Sequence, residues 1–159
     1  MDESLTMRRL LPTDADALVD FYQSLRPETL YVFGPFRRGG DDEIRDFLAD
    51  TEAARHASWG LVADDGTIEG HVFFRHLDRD PPELGIGLRE RRHGQGWGRR
   101  LMVTALAWAD ARPLPVVMLT VFKINHRARR LYESCGFVAL RDHTGHEPDD
   151  ALYMERARP

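Results

Sequence analysis

The chain has 159 residues, of which 42% are hydrophobic and 30% charged, and this balance predicts a single globular domain over residues 1–159. Its net charge of -4 argues against a nucleic-acid-binding protein. It has no run of about 18 apolar residues and no apolar signal-peptide segment, so we expect no membrane contact. The single cysteine, Cys135, excludes an intramolecular disulfide and suits a reducing cytoplasm.

The first half of the chain is predicted to contain a strand, two helices and a hairpin. Thr13 is placed to cap the first helix, which Pro27 ends. Asp41 and Asp42 begin the second helix, where the helix dipole favours acids. Asp64-Asp65-Gly66 predicts the hairpin turn, because glycine accepts positive φ. We predict a strand over 4–10, a helix between 13 and 27, a loop or broken helix over 31–36, a helix over 41–56 and strands over 58–63 and 67–77.

The second half alternates strands and helices. Gly136 lies where a glycine commonly ends a helix. The predicted strands cover 83–88, 116–122, 137–140 and 151–155, and the helices cover 99–111 and 125–134. The resulting order, β α α β β β α β α β β, predicts an α/β sandwich around one twisted sheet.

Residues 83–98 (ELGIGLRERRHGQGWG) predict a strand that turns through Gly94, Gly96 and Gly98 into a helix. The first N–H groups of a helix lack internal partners, and the dipole adds partial positive charge there. Glycines remove the Cβ atoms that would keep an anion away. The pattern therefore indicates a phosphate-binding turn, with a glycine turn that serves only packing as the plainer alternative.

Two common phosphate loops do not fit this turn. A P-loop requires Gly-Lys-Ser/Thr where the chain has Gly98-Arg99-Arg100. The dinucleotide fingerprint requires Gly-x-Gly-x-x-Gly, and here the third glycine comes one position early. A nucleotide-dependent kinase or oxidoreductase is therefore not expected.

The turn instead resembles the pyrophosphate loop of the GNAT acetyltransferase superfamily, Arg/Gln-x-x-Gly-x-Gly/Ala. His93 stands where Arg or Gln is usual, and we expect Arg91 and Arg92 to supply the missing charge. A second stretch is similar to the same superfamily: a strand, then Asn125, then Arg-x-Leu-Tyr ending at Tyr132, then Gly-Phe.

This resemblance implies an α+β fold, a mixed and mostly antiparallel twisted sheet flanked by helices, with splayed central strands that form the cofactor cleft. It implies acetyl-coenzyme A as co-substrate and an amine acceptor, on a small molecule or a protein, that attacks directly in a ternary complex. Tyr132 is implied as the general acid for the leaving thiolate, and Glu83 is a candidate base. The implied cofactor-binding residues are Leu88, His93, Gly94, Gln95, Gly96, Trp97, Gly98, Arg99 and Asn125.

Each of these residues also has an ordinary structural interpretation. Tyr132 would fit a core position, Asn125 a helix cap and Glu83 a charge at a strand end. Cys135 is expected to be a packing residue, because no base lies beside it to activate a nucleophile. A surface role is expected for His71 and His76 on the second hairpin strand.

No metal site is expected. His143 and His146 lie in an acidic stretch with Glu147, Asp149 and Asp150, but without the fixed spacing of a metal site. A GNAT-fold module that binds acyl-coenzyme A without turnover is the alternative function. The acceptor's identity stays open, and a homodimer is compatible with such a domain.

Overall fold

The structure is a computed structural model that describes residues 4–26, 40–50, 55–143 and 151–159. Over these ranges it contains seven strands, four α-helices and two short 3-10 turns at Pro12–Asp14 and Glu90–Arg92. The strands are β1 (Leu5–Arg9), β2 (Ala57–Ala63), β3 (Ile68–Arg75), β4 (Glu83–Leu88), β5 (Val116–Phe122), β6 (Val138–His143) and β7 (Ala151–Ala157). The helices are α1 (Ala15–Ser24), α2 (Gly40–Ala49), α3 (Trp97–Asp110) and α4 (His126–Ser134).

The seven strands form one sheet in the order β1-β2-β3-β4-β5-β7-β6. Every neighbouring pair is antiparallel except β4 and β5, which are parallel and share only the residue pair Glu83 and Met118. The predicted α+β fold with splayed central strands is confirmed.

Helices cover both faces of the sheet, and each face has its own hydrophobic core. One core joins α3 and the sheet around Phe74, Leu101 and Met154, all fully buried, and includes Tyr132 from α4. The other core joins α1 and α2 to the opposite face around Phe21 and Phe73. The central strands are therefore packed on both faces of the sheet.

The hairpin and the second half match the sequence prediction closely, and α1 lies within its predicted range, but the cap of α1 and the end of α2 differ. Gly66 has φ +89° in the β2–β3 turn, as predicted. Thr13 does not cap α1 but lies inside the 3-10 turn, because the Asp14 carboxylate accepts the Leu11 N–H at 2.8 Å instead. Helix α2 ends at Ala49 rather than near residue 56, since the chain must turn to enter β2. The predicted loop over 31–36 lies outside the described residues.

His71 is fully buried, so the expected surface role is wrong. It lies on β3 between two hydroxyls: the Tyr22 oxygen is 2.7 Å from Nδ1 and the Ser58 oxygen 2.5 Å from Nε2. One ring nitrogen of a neutral imidazole donates a hydrogen bond and the other accepts one, and a hydroxyl can act as the partner of either nitrogen. Burial lowers the pKa of His71 to about 3, so the ring is neutral in the fold.

Within the described ranges no helix is both long and apolar enough to cross a membrane. The longest of them, α3, has 14 residues and an amphipathic pattern.

Burial of His71 makes stability depend on pH. His71 takes up a proton near pH 6.5 in the unfolded chain but only near pH 3 in the folded protein. The contribution of the neutral ring to the free energy of unfolding is therefore complete above pH 6.5 and decreases as the pH falls below it. We expect this one group to remove about 2 kcal/mol between pH 7 and pH 5. In urea unfolding, the difference in free energy of unfolding between wild type and His71→Gln should decrease by that amount from pH 7 to pH 5. A gap that stays constant would contradict the buried neutral histidine.

Candidate active site

A cleft of about 650 Å³ opens where β4 and β5 separate. Its walls come from β4, the glycine turn, the start of α3, β5 and the first two turns of α4. Strand β4 pairs with β3 along the whole of β4 but pairs with β5 at only one position. The edge of β4 that points toward β5 therefore faces the cleft.

The backbone polar groups on this edge can be assigned from two hydrogen bonds. The Pro82 carbonyl accepts the Met118 N–H at 3.0 Å, whereas the Arg89 N–H donates the other way to β3, to the Glu69 carbonyl at 2.9 Å. Successive amides of a strand point in opposite directions. The polar groups of alternate residues, including the N–H of Leu88, therefore point into the cleft and can pair with an extended ligand.

The glycine turn ends the cleft with a concentration of unpaired donors. Gly94 and Gly96 have φ of +75° and +86°, which a residue with a Cβ rarely adopts. Gly96 is the N-cap residue of α3, and the helix has neither a side-chain cap nor an acid in its first turn. Its first amides and its dipole are therefore available to an anion, as the sequence predicts.

The structure brings most of the predicted cofactor-binding residues together around this turn. Leu88, His93, Gly94, Gly96, Trp97, Gly98, Arg99 and Asn125 all line the cleft. Gln95 does not, because its side-chain amide turns back and donates to the Arg91 carbonyl at 3.1 Å. His93 lies against the end of β4, with Nε2 3.1 Å from the Leu88 carbonyl oxygen.

Besides Arg92 and the predicted Arg99, the cleft is lined by an arginine that the sequence analysis did not single out. Arg127, on the first turn of α4, lines the cleft, and one of its guanidinium nitrogens would lie 3.2 Å from a Cβ at Gly94. Arg91 and Arg92, which were expected to fill this role, both contact the buried carboxylate of Glu69. Arg92 still lines the cleft, but Arg91 does not.

Two polar residues hold the α4 side of the cleft. The Asn125 side chain accepts the Ala128 N–H at 3.2 Å, so it caps α4 and borders the cleft at once. Tyr132 lies two turns along α4, 8% exposed, with its ring edge-to-face against Phe137. Burial raises the pKa of Tyr132, so its phenol stays protonated at neutral pH.

Glu83 lies at the other end of the cleft, where β4 begins. Its carboxylate accepts from both the Nε and an Nη of Arg75, at 3.2 and 2.7 Å, across the β3–β4 pair. Its side chain is 27% exposed, so it remains reachable from the cleft, and Arg75 holds its orientation.

Cys135 does not line the cleft, whereas His143, at the end of β6, does. Cys135 ends α4, is partly buried against the core and has its carbonyl bound by the Arg156 Nε at 3.0 Å. Among the described residues no group of three or more His, Cys, Asp or Glu side chains is arranged to hold a metal. His146, Glu147, Asp149 and Asp150 lie outside the described residues.

The family comparison agrees with this geometry. A model of the acetyltransferase (GNAT) domain matches residues 4–138 of the chain. No curated protein matches it in sequence.

Solved structures share the fold over nearly the whole chain. An acetyltransferase of the GNAT family from Streptococcus pneumoniae is 23% identical, with a TM-score of 0.79 and coverage of 98% of this chain and 100% of that one. Ribosomal-protein-S5-alanine acetyltransferase from Vibrio fischeri is 17% identical, with a TM-score of 0.82 and coverage of 99% and 95%. Spermidine N-acetyltransferase from Vibrio cholerae, in complex with CoA and spermine, is 19% identical, with a TM-score of 0.77 and coverage of 97% and 95%. At these identities the likeness establishes the fold.

Proposed function

The chain belongs to the GNAT acetyltransferase family, and we propose that it transfers the acetyl group of acetyl-coenzyme A to an amine acceptor. The observation that supports this most directly is that the open edge of β4 and the uncapped start of α3 border the same cleft. An extended arm with a diphosphate at one end matches that arrangement of strand edge and anion site.

The residues around the turn divide the binding of the co-substrate between them. The amides at the start of α3 and the guanidinium of Arg127 hold the diphosphate, and the glycines leave room for it. The edge of β4 pairs with the pantetheine arm as an added strand would, and Asn125 holds the arm from the α4 side. The thioester then lies between the Leu88 amide and Tyr132.

The proposed reaction is a direct transfer. The amine nitrogen attacks the thioester carbonyl carbon, a C–N bond forms, the C–S bond breaks and coenzyme A leaves as a thiolate. The Leu88 N–H stabilises the carbonyl oxygen as charge develops on it. Glu83 accepts the amine proton, directly or through water, and Tyr132 donates a proton to the thiolate. No acetylated Cys135 forms, since that residue caps a helix outside the cleft lining.

The acceptor is proposed only as an amine, on a small molecule or on a protein. The solved relatives named above act on spermidine and on a ribosomal protein, so the shared fold accommodates both kinds of acceptor. We propose a cytoplasmic location, which the single free cysteine suits.

Calorimetry with acetyl-coenzyme A, ATP and NAD tests the assignment of the cleft. We expect acetyl-coenzyme A to bind with a Kd in the micromolar range, about -7 to -8 kcal/mol, and the two nucleotides to bind much more weakly. ATP binding as tight as acetyl-coenzyme A would refute the assignment. A thiol-release assay with a panel of amines then separates an enzyme from a module that binds without turnover.

Gly96→Ala should weaken binding of acetyl-coenzyme A, by about tenfold or more, because a Cβ at φ +86° distorts the turn that presents the amides. Gly66→Ala is a matched control, since Gly66 has φ +89°, is equally open and lies in the hairpin away from the cleft. Both variants should lose similar stability, and only Gly96→Ala should lose affinity. If Gly96→Ala and Gly66→Ala bind acetyl-coenzyme A equally well, the glycine turn does not take part in binding.

Tyr132→Phe should lower turnover by roughly 10- to 100-fold while leaving affinity for acetyl-coenzyme A unchanged. The low end of the range is expected because burial makes the phenol a weak acid relative to a thiol, whose pKa is about 8.5. Tyr153→Phe is the control, because that hydroxyl donates to Glu155 and does not line the cleft. Wild-type turnover in Tyr132→Phe would make Tyr132 a packing residue and leave the proton to water.

A further inference from the structure

Strand β3 carries a fully buried carboxylate, Glu69, just behind the glycine turn. Burying an ionised carboxylate is unfavourable unless charged donors surround it. Arg91 and Arg92 supply those donors. Arg89 adds a third positive charge nearby, although its own Nε donates to the Ile68 carbonyl. Burial alone would raise the pKa of Glu69, but hydrogen bonds from Arg91 and Arg92 outweigh it and hold that pKa below its usual range.

The contacts are specific rather than diffuse. Arg91 forms a two-point hydrogen bond with the carboxylate, through Nη2 to Oε1 and through Nε to Oε2 at 3.0 Å. The Arg92 Nε lies 3.3 Å and the Arg89 Nε 3.8 Å from Oε2. Arg89 is tied further by its backbone N–H, which donates to the Glu69 carbonyl at 2.9 Å. A two-point contact with arginine fixes orientation as well as position.

This segment leads directly into the phosphate-binding turn. Residues 90–92 form a 3-10 turn, and the His93 N–H closes it by donating to the Glu90 carbonyl at 3.1 Å. The Arg91 carbonyl accepts the Gln95 side-chain amide at 3.1 Å, inside the glycine turn. A chain of contacts therefore runs from Glu69 through Arg91 to Gln95, between the two glycines with positive φ.

We propose that Glu69 is a positioning residue for the coenzyme A site: it anchors Arg91 and Arg92 so that the glycine turn is held in its anion-binding form before the ligand arrives. The turn needs such an anchor because two of its residues have positive φ and few packing neighbours. The inference rests on the proposed coenzyme A site. Glu69 itself touches no ligand, since it lies behind the cleft lining.

The test uses Glu69→Gln and Arg91→Gln with two ligands, coenzyme A and pantetheine, which lacks the diphosphate. We expect both variants to raise the Kd of coenzyme A on the order of tenfold, since misplacement by about 1 Å can reduce activity up to 100-fold. The Kd of pantetheine should not change, because the β4 edge is untouched. Hydrogen exchange at the Arg92 and His93 amides, which are hydrogen-bonded in the 3-10 turn, should become faster in the ligand-free variants, with α3 beyond Leu101 unaffected.

Arg8→Gln is the control, because Arg8 on edge strand β1 also forms a two-point ion pair with a carboxylate, that of Asp14, away from the cleft. It should bind both ligands as wild type does. If Glu69→Gln fails to fold, Arg91→Gln decides the question, because that side chain is 61% exposed and its loss leaves the core intact.

Three results would overturn the proposal. Unchanged affinity and unchanged exchange at the Arg92 and His93 amides would mean that the anchor is dispensable. Equal losses for both ligands would indicate a general structural role. Tighter coenzyme A binding by Glu69→Gln would mean that Glu69 only neutralises the charges of Arg91 and Arg92, which would otherwise attract the diphosphate. Failure of the wild type to bind coenzyme A would instead refute the proposed function, and the exchange comparison would still test the anchor.

Discussion

The parallel pair of β4 and β5 is the constraint on which the site depends. Two strands that share a single residue pair leave the backbone of β4 without partners along one edge, and buried polar groups of a backbone need partners. Helices α3 and α4 follow these two strands and close the ends of the gap. The sheet thus creates a strand-shaped ligand site by leaving one ladder unfinished.

Strand β3 pairs with the other edge of β4 and carries two buried titratable groups, which the protein accommodates in different ways. On one face, His71 is kept neutral between two hydroxyls, and burial alone accounts for its low pKa. Two residues earlier, Glu69 stays ionised because arginines reach it from the segment after β4. The neutral group joins β3 to β2 and α1, whereas the ionised group joins it to the segment that leads into the glycine turn.

Local signals allowed much of this to be predicted. The bounds of β4 and β5, the left-handed Gly66 of the hairpin, the Asn125 cap and Gly136 with φ +97° after α4 all agree with the structure. Each depends on contacts within a few residues of chain, where a side chain and the backbone it serves are adjacent in sequence. The error at the end of α2 arose because local signals were followed where the tertiary structure decides. The stretch near residue 50 is rich in helix-forming residues, but α2 ends at Ala49 because the chain must enter β2.

The sequence by itself determined the order of elements, the glycine turn and the two motifs that identify the family, because these are patterns of neighbouring residues. The tertiary structure decided which distant side chains meet. Arg127 rather than Arg91 lies beside Gly94, because α4 packs across the cleft while the 3-10 turn folds back over β3. His71 became a core residue because α1 and α2 cover its face of the sheet. Such outcomes depend on strand register and on which layer covers each face, and no local pattern records either.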